Sequence, residues 1–189
     1  MSNIGFALTG SFCTFQNAIE QMKILIQAGH NVTPIMSFHA YNLDTKFGKA
    51  ADFRDEIERV CKNPIIHTIA QAEPIGPQKM FDILLVEPCS GNTLAKLAAG
   101  IVDTPVLMAV KSHLRNARPV LLAVSTNDAL GNAAKNIGAL LNMRNIYFVP
   151  MGQDDPYRKP RSVVADFDYT ELAVNAALEG TQLQPILKG

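Results

Sequence analysis

The chain has 189 residues, 48% of them hydrophobic, and its 17 Lys+Arg balance 17 Asp+Glu. That length carries one core without disulfide or metal staples, and zero net charge leaves no basic field for holding a nucleic-acid backbone. Cys13, Cys61 and Cys89 are odd in number and never spaced as Cys-x-x-Cys, no apolar run nears the ~18 residues that span a bilayer, and Met1 leads almost directly into an apolar strand, so reduced thiols, no metal site and a cytoplasmic setting are expected.

Ile4 to Leu8 reads as a strand ending in Thr9-Gly10-Ser11. Phe15, Ala18, Ile19, Met22, Leu25 and Ile26 then recur at helical spacing, and Gly29 stops that helix. Val32 to Met36 is a second strand, and Phe53 to Cys61 a helical pattern closed by Asn63-Pro64. A third strand, Ile83 to Val86, turns through Glu87-Pro88-Cys89-Ser90-Gly91-Asn92 into a helix carrying Leu94, Leu97, Ala98 and Ile101, which ends near Gly100. Val106 to Val110 and Val120 to Val124 are nearly continuous apolar runs and read as two strands in mid-sheet. A helix around Ala133 to Leu141, a strand from Ile146 to Val149 and a last helix near Glu171 to Leu178 complete the series. The alternation predicts the α/β class. The expected architecture is one domain over residues 1–189, a Rossmann-like or flavodoxin-like doubly wound parallel sheet with helices on both faces.

In such sheets the ligand lies outside the carboxyl ends of the strands. The residues there are Gly10, Ser11 and Phe12 after the first strand, and Ser37 with Phe38 and His39 after the second. Ser90, Gly91, Asn92 and Thr93 follow the third, and Ser125, Thr126 and Asn127 the fifth. Hydroxyl and amide groups beside helix N-termini suit a phosphate monoester, although the same residue types are ordinary caps and turn formers. Gly10 lacks the second and third glycines of a dinucleotide turn, and Ser37 stands where a ribose-binding acid would be expected. NAD(P) held by this chain alone is therefore disfavoured, and FMN, with one phosphate and a flat ring, fits the set better. His67 reads either as a neutral core histidine or as an acid/base group. Two basic groups, Lys111, His113, Arg115 and Arg118, then Arg158, Lys159 and Arg161, read either as carboxylate ligands or as solvated loops.

Gly10-Ser11, Ser37 and Pro88-Cys89-Ser90-Gly91-Asn92-Thr93-Leu94-Ala95-Lys96 resemble the flavoprotein family of flavin-containing cysteine decarboxylases and prenylated-flavin synthases. In that family a Pro-x-Ser/Thr-x-Asn-Thr-x-x-Lys turn cradles FMN. Ser125 to Gly131, Asn145 to Pro156, Lys159-Pro160 and Val164 to Asp166 resemble its dipicolinate-forming branch. The chain departs from the decarboxylases at Ser125-Thr126, ahead of the retained Asn127, and in residues 153–164, which hold no cysteine where a decarboxylase clamp has one. The resemblance implies FMN held by the strand-end residues above and a catalytic role for His67. It also implies one subunit of an oxidoreductase that dehydrates and oxidises a hydroxylated tetrahydrodipicolinate to dipicolinate during sporulation. NAD(P) would come with a dinucleotide-binding A subunit, and the chain would form a trimer-based homo-oligomer in the mother-cell cytoplasm. The dicarboxylate is expected at Arg158, Lys159 and Arg161, in the loop replacing the clamp. A flavin-dependent decarboxylase and a non-catalytic FMN- or phosphate-binding assembly subunit are the alternatives.

Overall fold

Strands covered on both faces must be apolar throughout, and three segments meet that condition. They are β1 (Asn3–Leu8), β3 (Ile83–Cys89) and β4 (Val120–Thr126), all buried except at one terminal residue of β1 and one of β4. The structure, a computed structural model, describes residues 1–188. With β2 (Asn31–Met36) and β5 (Ile146–Phe148) these strands form a parallel sheet in the order β2-β1-β3-β4-β5. Phe6 lies opposite Pro34 on one side and Leu85 on the other. Proline has no N–H to give a ladder, which suits its place near the sheet edge.

Helices cover both faces. α1 (Phe15–Gln27) packs with α3 (Ala50–Cys61) and α8 (Thr170–Leu178), while α4 (Ile69–Ala72) and α5 (Gly91–Ala98) pack with α6 (Pro105–Leu114), and α5 with α7 (Ala134–Leu141). A short α2 (Phe38–Asn42) follows β2. One hydrophobic cluster runs through the sheet and both layers, from Ile4 and Phe6 to Ala173 and Val174.

Two expectations are corrected. Val106–Val110 is not a strand but the body of α6. Thr104 caps that helix, its side chain accepting from Leu107 N at 3.3 Å, and Pro105 occupies the first turn. The helix is buried over most of its surface, from Pro105 to His113, so its apolar run is as unbroken as that of a central strand. Ser125 to Asn127 therefore stand at the end of the fourth strand, not a fifth. The sheet is also not wholly parallel. β5 pairs with β4 only as far as Leu122, and beyond it β7 (Val163–Ala165) runs antiparallel, with Thr126 opposite Val163 and Ser125 opposite Val164. β6 (Met151–Gly152) pairs antiparallel with β7. Strands this short carry too few residues for a period-two signal, yet β7 covers an edge of β4 that would otherwise be left open.

Because α6 leads into the amino end of β4, Lys111, Arg115 and Arg118 lie toward the sheet edge opposite the carboxyl ends. Arg118 there bonds the Lys79 carbonyl at 3.2 Å and approaches Asp82 at 3.6 Å, ahead of β3. At the carboxyl edge, hydroxyls tie the strands together. Thr9, 1% exposed, donates Oγ1 to the Pro88 carbonyl at 2.7 Å and accepts from Ser90 N at 2.9 Å. Ser11 Oγ donates to the Ser125 carbonyl at 2.6 Å.

Two ionisable groups are buried with an orphaned atom each. Glu87 accepts from Thr170 Oγ1 at 2.8 Å through Oε2, its Oε1 is unpartnered, and burial pushes its pKa up to about 8. His113 Nε2 lies 3.1 Å from the Pro119 carbonyl, its Nδ1 is unpartnered, and burial pulls its pKa down to about 4.

These two groups pull stability in opposite directions with pH. The folded state holds the Glu87 proton more tightly than the unfolded chain, so that contribution falls as pH rises from 4.5 to about 8. The unfolded state holds the His113 proton more tightly, so that contribution rises from about 4 to 6.5. Their sum is nearly flat between 4.5 and 6.5 and then declines toward pH 8 by up to about 1.4 kcal/mol per pH unit. Urea unfolding across this range should show the decline in the wild type and not in Glu87→Gln; a decline that survives the substitution assigns it to another group. Thr9→Val keeps the side-chain shape but leaves Pro88 O and Ser90 N unpaired. It should lower stability by about 1–3 kcal/mol in the same assay, and an unchanged midpoint would remove Thr9 from the account.

Candidate functional site

The carboxyl ends of β1 to β4 open into a cleft of two lobes that share Gly10 and Ser90. The larger, about 760 Å³, is lined by Gly10, Ser11, Phe12, Ser90, Gly91, Ser125, Thr126 and Asn127, with Cys13, Lys46, Phe47, Asp154, Lys159, Ser162 and Val164. The smaller, about 390 Å³, is lined by Gly10, Ser37, Ser90, Asn92 and Thr93, with Phe38, His39, Lys96, Asp103, Thr104 and Leu107. All eleven residues expected to hold a cofactor thus line one lobe or the other. Both volumes lie within the usual span of ligand pockets.

Local chemistry explains why the chain folds this way at its strand ends. Ser37 and Ser90 are extended, at φ −66°, ψ 162° and φ −73°, ψ 158°, and each caps the helix that follows. Ser37 Oγ accepts from Ala40 N at 3.3 Å, and Ser90 Oγ accepts from Thr93 N at 3.4 Å and lies 3.0 Å from Thr93 Oγ1. The unpaired N–H groups at the start of α5 make that end of the cleft favourable to an anion. Gly91 is required there, because a Cβ would stand 2.6 Å from Thr126 Oγ1 and 3.0 Å from Asp128 Oδ1. Thr126 Oγ1 donates to Asp128 Oδ1 at 2.6 Å, so α5 begins against a fixed hydroxyl–carboxylate pair. A Cβ at Gly10 would meet only the Phe12 ring, at 4.0 Å, which leaves bare backbone where the lobes join.

Two loops add charge to the larger lobe. Lys159 Nζ donates to Asp154 Oδ2 at 2.8 Å, and that bond raises the Lys159 pKa, holding the amine charged. Lys46 and Phe47 come from a tight turn closed by Thr45 N to Gly48 O at 3.0 Å and Gly48 N to Thr45 O at 3.1 Å. Gly48 has φ +154°, and a Cβ there would lie 2.8 Å from the Phe53 ring. In the smaller lobe Lys96 pairs with Asp103 at 2.7 Å.

The remaining expected residues are placed differently. His67 follows Ile66, which bridges to Ile35 at the carboxyl end of β2. Its Nδ1 lies 3.1 Å from the Ile65 carbonyl, and its ring stacks on Tyr41 of α2 with centroids 4.0 Å apart and planes 6° apart. Neither lobe includes it in its lining. Of the three basic residues in the 153–162 loop, Lys159 lines the larger lobe. Arg158 is exposed, its backbone N donating to Asp155 Oδ1 at 3.0 Å, and Arg161 lies against Gly131, its carbonyl accepting from Leu130 N at 3.0 Å. Cys89 is fully buried, and burial pushes its thiol pKa up, as in a packed small residue. Among the described residues no group of three His, Cys, Asp or Glu side chains is placed to hold a metal. Lys46, Phe47, Asp154 and Ser162 escaped sequence reasoning. Gly48, four residues after Asp44 in a polar stretch, was the available sign of a turn.

The flavoprotein family model matches residues 1–168. The B subunit of dipicolinate synthase from Bacillus subtilis (strain 168) is 44% identical over 184 residues, covering 97% of this chain and 92% of its own. The crystal structure of the dipicolinate synthase B subunit from Bacillus halodurans superposes with a TM-score of 0.92 at 41% identity, over 100% of this chain and 96% of that one. The FMN-dependent cysteine decarboxylase SpaF shares the fold, with a TM-score of 0.66 at 19% identity over 94% and 95% of the two chains. The matched segment runs through every strand of the sheet and every residue that lines the two lobes, and the chain belongs to the flavoprotein family.

Proposed function

We propose that the chain is the flavin-binding B subunit of a two-subunit dipicolinate synthase. The observation that carries this reading is the convergence of eleven strand-end residues on one two-lobed cleft, in a chain whose 44% identical relative is named as that subunit. Ser37, Ser90, Asn92, Thr93 and the first N–H groups of α5 suit a single phosphate. Gly10 to Phe12, Ser125 to Asn127 and Phe47 suit a flat ring with polar edges. FMN bound there would supply a two-electron acceptor. NAD(P) belongs with the A subunit, since Gly10 stands without the further glycines of a dinucleotide turn.

The substrate of this reading is a dianion, and its carboxylates need cationic partners in a partly desolvated cleft. Lys159 is placed to supply one, with Arg158 and Arg161 outside the lining. His67 is occupied by its stack on Tyr41, so its part is to hold α2 and Ser37 in position. A decarboxylase acting on a cysteinyl substrate is the weaker reading, because the 153–162 loop brings no cysteine to the cleft. Phe38 and Phe47, 41% and 49% exposed on the rims of the lobes, support a homo-oligomer, trimer-based, built around this edge. Among the described residues no helix is long and apolar enough to cross a membrane, and the setting of this reading is the mother-cell cytoplasm of a sporulating bacterium.

Titration with FMN, followed by quenching of flavin fluorescence, tests the cofactor. Thr93→Val and Asn92→Ala should each weaken binding about tenfold, the equivalent of about 1.4 kcal/mol. A chain that takes up no FMN while its complex with the A subunit still forms dipicolinate would overturn the flavin part of the reading.

A further inference from the structure

We infer that Lys46 is a carboxylate ligand of the larger lobe, acting with Lys159 so that the cleft prefers a small dicarboxylate to a monocarboxylate. This rests on the dicarboxylate reading above and adds the residue that sets the preference.

The charged side chains lining the larger lobe are Lys46, Lys159 and Asp154. Asp154 is spent on Lys159, with Oδ2 and Nζ 2.8 Å apart. Lys46 forms no ion pair among the described residues, and its amine lies 5.2 Å from the centroid of its own Phe47 ring. The lobe therefore carries one cation in excess. An entering anion finds a compensated amine on the 153–162 loop and an uncompensated one on the Thr45–Gly48 turn.

The position of Lys46 is set by packing. Gly48 presses on the Phe53 ring, Phe53 meets Phe15 edge-on with centroids 5.3 Å apart, and Phe15 lies 5.0 Å from Phe12, which lines the lobe. The turn carrying Lys46 is thus seated on one end of an aromatic row whose other end, Phe12, lines the lobe. Lys46 and Lys159 reach the lobe from separate segments, which suits two carboxylates held apart by a small ring better than one. A monocarboxylate engages Lys46 alone and leaves the Asp154–Lys159 pair as it was. The second carboxylate of a dianion competes with Asp154 for the Lys159 ammonium, so the preference requires both amines.

Calorimetric titration of the full chain with pyridine-2,6-dicarboxylate and pyridine-2-carboxylate tests this directly. The wild type should bind the dicarboxylate at least tenfold more tightly. Lys46→Gln should lose most of that preference, Lys159→Gln should weaken the dicarboxylate alone, and Lys46→Arg should restore much of the binding, with thermal melting confirming that each variant is folded. A Lys46→Gln chain that keeps the wild-type preference would overturn the inference and leave the dicarboxylate reading standing. A wild-type chain that does not discriminate between the two acids would overturn both. Loss of FMN uptake in Lys46→Gln would overturn the inference by assigning Lys46 to the flavin.

Discussion

The hydroxyl of Thr9 holds the point from which the cleft takes its shape. Strand order turns back between β1 and β3, and there the two chains leave the sheet toward helices on opposite faces. Their ladder ends at Ala7 and Val86, and the register of β3 against β4 shifts between Val86 and Cys89. The backbone groups just beyond would be buried without partners, a costly arrangement. Thr9 takes up two of them at once, accepting from Ser90 N and donating to Pro88 O. Ser90 is thereby held in the extended conformation that a cap residue needs, and α5 starts with its N–H groups facing the cleft. Ser11 extends the tie to β4 through the Ser125 carbonyl. The floor of the site is a set of strand ends bound to each other, not loops laid over them.

Much of that floor was legible in the sequence, because the rule that places ligands at carboxyl ends needs only the points where strands stop. Reading α6 as a strand did not disturb it. The error lay between β3 and β4, both correctly found, and α6 returns the chain to the amino edge. Its cause was physical, since an apolar run covered on every side has the same composition as helix or strand. Only Thr104-Pro105, a cap followed by a first-turn proline, distinguished them. The rim was far less legible. Lys46 lies in a stretch without periodicity, and its place depends on a row of rings, Phe12, Phe15 and Phe53, drawn from three elements. No local pattern reports such contacts. The expectation for Arg158, Lys159 and Arg161 treated the loop as a unit, whereas a turning chain presents only one of three neighbours to the cleft.

Electrostatics bind floor and rim together. Glu87, three residues before the Ser90 cap, would place a buried negative charge near the start of α5 if it were ionised. Burial keeps it neutral up to about pH 8, against the opposing pull of the hydrogen bond from Thr170. The N–H groups of α5, which favour an anion, then have no ionised Glu87 nearby to oppose them. The unpartnered Oε1 of Glu87 costs stability, a common condition next to functional sites, where local optimum and function diverge.

Floor and rim are built from different parts of the chain. The floor consists of glycines, cap hydroxyls and backbone N–H groups whose geometry follows from strand order, and the fold that sets this order is shared by a chain only 19% identical. The rim comes from the Thr45–Gly48 turn and the 153–162 loop, which lie outside the strands of the sheet. Substitution in the rim alters which charges meet the substrate. Substitution in the floor alters whether the strand ends meet at all. Removing the Thr9 hydroxyl leaves two backbone groups of the β3 end, Pro88 O and Ser90 N, unsatisfied together, and removing that of Ser11 takes a donor from the Ser125 carbonyl of β4, so change at the floor costs stability that change at the two loops carrying Lys46 and Lys159 does not.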